Sequence, residues 1–168
     1  MEPSTALSTS AQIAVAISGF AGVVVVFRTE SVHDWGLVER FWLRLLLLNS
    51  TLPLALSLAG LLFLAVTPDS PAIWRWSSGL ATLVLLPYVA MIIRTVFGFA
   101  RGQLEAAGGN TFTSYSLFAA LSAVCLLQLY NVAILAAFWP FFGAIVALLL
   151  GAMYQFMRLA LTPQRRGT

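Results

Sequence analysis

Apolar residues run along this chain in long uninterrupted blocks, without the alternation of a half-buried strand or the single stripe of a surface helix. Four blocks stand out, at about 11–27, 41–66, 73–99 and 115–161, separated by short stretches that hold most of the charges. A hydrocarbon layer about 30 Å thick needs roughly 20 apolar residues of helix, which the first three blocks supply. The fourth holds about 45 residues, roughly 70 Å as a single helix and more than twice that thickness. It must fold back, and Phe138-Trp139-Pro140 is the expected corner, because Pro cannot continue a helix but is tolerated in the first turn of the next. The pattern predicts an all-α integral membrane protein. Its single domain, 1–168, is a bundle of five transmembrane helices at about 11–27, 41–66, 73–99, 115–136 and 139–161.

Composition and charge sharpen this picture. With 60% hydrophobic and 9% charged residues, the chain lies far from the usage of water-soluble domains. All nine basic residues are Arg. Threaded through five spans, Arg28, Arg40, Arg44, Arg94, Arg101, Arg158, Arg165 and Arg166 fall on one side, and Arg75 on the other. The positive-inside rule then predicts an outside N-terminus and a cytoplasmic C-terminus, in a bacterial cytoplasmic (inner) membrane. Trp74, Trp76 and Trp139 would form an outer aromatic belt, with Trp35 and Trp42 at the inner interface. Arg44, Arg94 and Arg158, close to the inner helix ends, are candidate contacts for lipid phosphates.

The inventory also limits the chemistry. Without Lys there is no amine for a Schiff base, and the single histidine, His33, stands in a polar loop beside Asp34. The lone Cys125 has no disulfide partner within the chain. The predicted spans contain no carboxylate, His or Lys, so general acid–base catalysis and proton-coupled pumping lack a titratable group. These features predict a protein that is not an enzyme and carries no cofactor or metal. Its expected partners are membrane lipids and itself or another membrane protein, with no nucleic acid.

Two kinds of position within the spans are candidates for function. Ala14, Ser18 and Gly22 recur every four residues in the first helix; Gly143, Ala147 and Gly151, continuing to Gln155, do so in the last. Small residues at this spacing let backbones approach closely, within the chain or between copies, or line a pore. The second kind is a polar group near mid-membrane: Asn49, Ser50 and Thr51 ahead of Pro53, and Gln128 and Asn131 on one face of the fourth helix. Pro53 and Pro87 should kink their helices and free a carbonyl one turn back.

The ending Tyr154-Gln155-Phe156-Met157-Arg158-Leu159, with the first helix and the Arg-rich entry to the second, resembles small uncharacterised bacterial multi-pass inner-membrane proteins. Separately, Ser18-Gly19-Phe20-Ala21-Gly22-Val23 is similar to the pore-helix motif of Orai-family calcium channels, a likeness of about ten residues that would imply a pore-lining first helix. Phe27 stands where those channels place their acidic selectivity residue, so calcium selectivity does not carry over. The sequence as a whole predicts a non-enzymatic polytopic membrane protein that self-associates, with a channel or small-molecule path as one outcome. An accessory subunit of a larger complex and a binder of lipid or another hydrophobic ligand remain open as alternatives.

Overall fold

The computed structural model describes residues 2–27, 36–68, 70, 72–98 and 111–161. Among them the chain is all-α: α1 (Pro3–Phe27), α2 (Leu37–Val66), α3 (Ile73–Gly98), α4 (Thr111–Tyr130) continued by a π-helical turn (Asn131–Leu135), and α5 (Phe138–Leu161). Four of these helices are long and apolar enough to cross a membrane, over Pro3–Val23, Arg40–Val66, Ile73–Val96 and Phe138–Arg158. The apolar part of the α4 unit, Ala119–Leu135, is shorter. The loops that carry Arg28, His33, Asp34, Trp35 and Arg101, and the end that carries Arg165 and Arg166, lie outside the described residues.

Alternating helix directions bring the starts of α1, α3 and α5 to the same end as the finishes of α2 and the α4 unit; we call this the corner end. There Gly60 of α2 sits against Leu7 of α1 and Phe141 of α5, so closely that an added Cβ would stand 2.9 Å and 3.1 Å from their side chains. Trp74 of α3 packs its ring 4.7 Å from Phe138, and Phe138 stacks on Phe142 at 5.3 Å, fixing α3 to the start of α5. α5 is the central element, packed against all four other helices. The core runs between them through Leu7, Leu56, Leu85, Phe141, Ile145 and Leu148. Large apolar side chains such as Phe20, Leu62, Leu83, Leu126 and Leu150 face outward, as expected where the solvent is lipid.

Several expected boundaries move. α1 begins at Pro3, eight residues before the apolar block, because Thr and Ser dilute the hydropathy of its first turns while Ala6, Leu7 and Ser10 are nevertheless buried. α2 begins at Leu37, four residues early. The helix expected over 73–99 is described as far as Gly98, and α4 is already helical at Thr111, ahead of the expected 115. The reversal expected at Phe138-Trp139-Pro140 lies at Ala136–Ala137, and Pro140 falls in the first turn of α5, where its missing N–H costs nothing. α2 and α3 continue as helices through Pro53 and Pro87.

Candidate functional site

Polar side chains inside the bundle fall into two layers. The first, near the corner end, is organised by Asn131. Helix α4 widens there into a π turn, closed by the Ala136 N–H donating to the Asn131 carbonyl at 2.9 Å, and Ala136 takes up a left-handed conformation with φ 49°. The Asn131 side chain stands in for the missing helix partners. Its Oδ1 accepts from the Ala137 N–H at 2.9 Å, and its Nδ2 donates to the Ala137 carbonyl at 2.9 Å and to the Ser78 hydroxyl of α3 at 2.7 Å. One turn back, Gln128 Nε2 donates to the Pro140 carbonyl at 2.7 Å. The Gln128 Oε1, and the hydroxyls of Ser57 and Ser77, are buried without a partner among the described residues.

The second layer lies about 22–26 Å from the corner end, counting 1.5 Å per residue along α2, α3 and α5. Asn49 of α2 is its centre. Its Oδ1 accepts from the Tyr88 hydroxyl of α3 at 2.7 Å, and its Nδ2 donates to Gln155 Oε1 of α5 at 3.1 Å. Gly151 makes room for this amide: a Cβ there would lie 3.1 Å from Asn49 Nδ2. Between the layers, at about 15–18 Å, Leu56, Leu85 and Leu148 are each at most 2% exposed and belong to one packed cluster. The middle of the bundle is therefore apolar and close-packed at these three residues, and they separate Asn131 and Gln128 from Asn49.

The sequence candidates are distributed unevenly over this frame. Asn49 and Gln155 meet, while Ser50 and Thr51 do not join them: each hydroxyl bonds back to its own helix, at Leu46 and Leu47, and Thr51 faces outward. Gln128 and Asn131 are both fully buried and serve the α4–α5 corner. Along α1 the small-residue stripe divides, with Ala14 buried, Ser18 half-buried and Gly22 exposed with open space where its Cβ would be. Along α5 Gly143 also faces open space and Ala147 is half-buried, whereas Gly151 and Gln155 pack on α2. Arg44 and Arg94 are exposed. Arg158 is half-buried, its guanidinium 4.2 Å from the centre of the Trp42 ring. Trp76 and Trp139 are exposed, but Trp74 is turned into the α3–α5 contact.

Two features escape the sequence reading. Tyr88 is one, a residue that apolar periodicity counts as core. The other is an outer face of α1: Gln12, Ala16, Gly19, Val23 and Val26 follow one another at spacings of four, three, four and three, and all are exposed. That is the spacing of a helix–helix seam. Gln12 lies about 14 Å into α1, and its side chain makes no hydrogen bond among the described residues.

Among the described residues no three His, Cys, Asp or Glu side chains come together as metal ligands would. Comparison with protein-family models, curated proteins and solved structures returns no match.

Proposed function

We propose that this chain is a five-span, non-enzymatic protein of a bacterial cytoplasmic membrane, with its N-terminus outside, that works as an assembly joined through the exposed face of α1. The observation that carries this reading is Gln12 on the Gln12–Ala16–Gly19–Val23 face. An amide turned toward hydrocarbon lacks hydrogen-bond partners, and small neighbours let a second helix come close enough to provide them. A second copy meets this need directly, since an amide both donates and accepts across a two-fold axis. The buried, apolar Leu56–Leu85–Leu148 layer supports packing over passage within one chain; a conducting path would run between copies.

Native mass spectrometry of the purified chain in a mild detergent tests the proposal. Oligomers are expected, weakened about tenfold or more by Gln12→Leu and Gly19→Leu, in line with roughly 1–2 kcal/mol for a membrane-buried amide pair. A monomer at all protein concentrations would defeat self-association and favour the accessory-subunit reading, in which the same face takes another protein's helix. Liposome flux no greater than that of empty vesicles, from a proven oligomer, would remove the conducting path.

A further inference from the structure

A groove of about 420 Å³ runs between α1 and α5 on the outside of the bundle, separate from both polar layers. Its floor is formed by Ala6, Ser10, Phe142, Val146 and Leu149, and its rims by Thr5, Thr9 and Ile13 on one side and Leu150 and Met153 on the other. On α1 it extends from Thr5 to Ile17, about 18 Å, close to the ~15 Å depth of one bilayer leaflet. A groove of this length, lined almost wholly by apolar side chains, offers an extended hydrocarbon chain contact along its whole course.

The two ends of the groove differ chemically. Hydroxyls occur only toward the start of α1, at Thr5, Thr9 and Ser10; beyond them the lining is apolar. Elsewhere in the helices Ser50, Thr51, Thr82 and Thr95 satisfy their hydroxyls on the carbonyl one turn back, whereas Ser57 and Ser77 have no partner among the described residues. Ser10 does not bond back either. Its residue is only 4% exposed and lines the groove, and its hydroxyl has no partner among the described residues. Among the described residues no charged side chain lines the groove. A free carboxylate would find no cationic side chain among the described lining residues, whereas a neutral ester carbonyl can accept hydrogen bonds from the three hydroxyls.

We infer that the α1–α5 groove is a binding site for one ester-linked acyl chain of a membrane phospholipid, its ester held by Thr5, Thr9 and Ser10 and its chain lying along Ile13, Ile17, Val146 and Leu149. The site goes beyond the proposed assembly and does not depend on it.

The test is native mass spectrometry of the delipidated full chain titrated with palmitoyl-oleoyl phosphatidylethanolamine, with free palmitate as competitor. One phospholipid per chain is expected. Val146→Phe, which fills the groove, should reduce retention more than tenfold; Ser10→Ala with Thr9→Val should reduce it about fivefold, as the loss of one or two neutral hydrogen bonds implies. A phosphatidylethanolamine with a diazirine midway along one acyl chain requires no variant: cross-links should concentrate on Ile13, Ile17 and Leu149. Cross-links spread equally over Leu62 and Leu83, displacement by equimolar palmitate, or no retained lipid would each overturn the inference. Thr5 and Thr9 also border the α1 face proposed for assembly, so retention is measured in Gly19→Leu too. Unchanged retention there supports the groove, and loss together with the oligomer would make the lipid an interface filler and defeat it.

Discussion

Two asparagines occupy comparable buried positions and do different work. Asn131 spends its amide on a residue six positions away, replacing the helix hydrogen bonds that end at the π turn, and reaches α3 only through Ser78. Asn49 makes no local bond; both of its contacts are to other helices, at sequence separations of 39 and 106 residues. The first amide specifies a chain reversal, and the second specifies which helices are neighbours. Within hydrocarbon the hydrophobic effect does not draw helices together, so directional bonds of the second kind carry much of the choice of partner.

The comparison can be broken experimentally. Asn131→Ala should have the largest effect, about 3 kcal/mol, because it strands the Ala137 N–H and carbonyl in an apolar surrounding at once. Reversible unfolding in mixed detergent micelles measures it, and a loss below about 1 kcal/mol would mean the corner holds without its clamp. Asn49→Ala should cost about 2 kcal/mol, with Asn49 and Gln155 coupled by about 1 kcal/mol in a double-mutant cycle; additive losses would show that the 3.1 Å contact contributes nothing. The smallest effect separates two glycines on one stripe. Gly151→Ala should destabilise by about 1 kcal/mol through its 3.1 Å approach to Asn49, whereas Gly143→Ala, with open space around it, should stay within about 0.5 kcal/mol of the parent.

The difference between the two amides also explains what was legible in the sequence. The helices themselves were, because blocks of this length and apolarity have few other structures open to them. Gln128 and Asn131 could be assigned to one face by their spacing, and Asn49 by the density of polar groups around it. Their partners could not. A helix that is apolar on every side carries no stripe to tell a lipid-facing residue from one that faces protein, so Ala14, Gly22 and Gly143 looked alike although one is buried and two face open space. Tyr88 was hidden for the same reason, as an aromatic among aliphatics until Asn49 stands 2.7 Å from its hydroxyl. The Gln12 face is hidden in the sequence because the small residues Ala14, Ser18 and Gly22 mark a neighbouring register of the same helix.

The clamp at Ala136–Ala137 bears on how the chain is made. On leaving the ribosome, α4 presents two amides, Gln128 and Asn131, and the shortest apolar stretch of the five helices. Alone in a bilayer it would carry both amides unsatisfied, against an insertion free energy drawn from few apolar residues. Among the described residues the one side-chain hydrogen bond of Gln128, and all but one of those of Asn131, end within the next twelve residues, on Ala137 or Pro140. The polar groups of α4 are therefore satisfied largely by the start of α5, so the two helices complete each other as a hairpin.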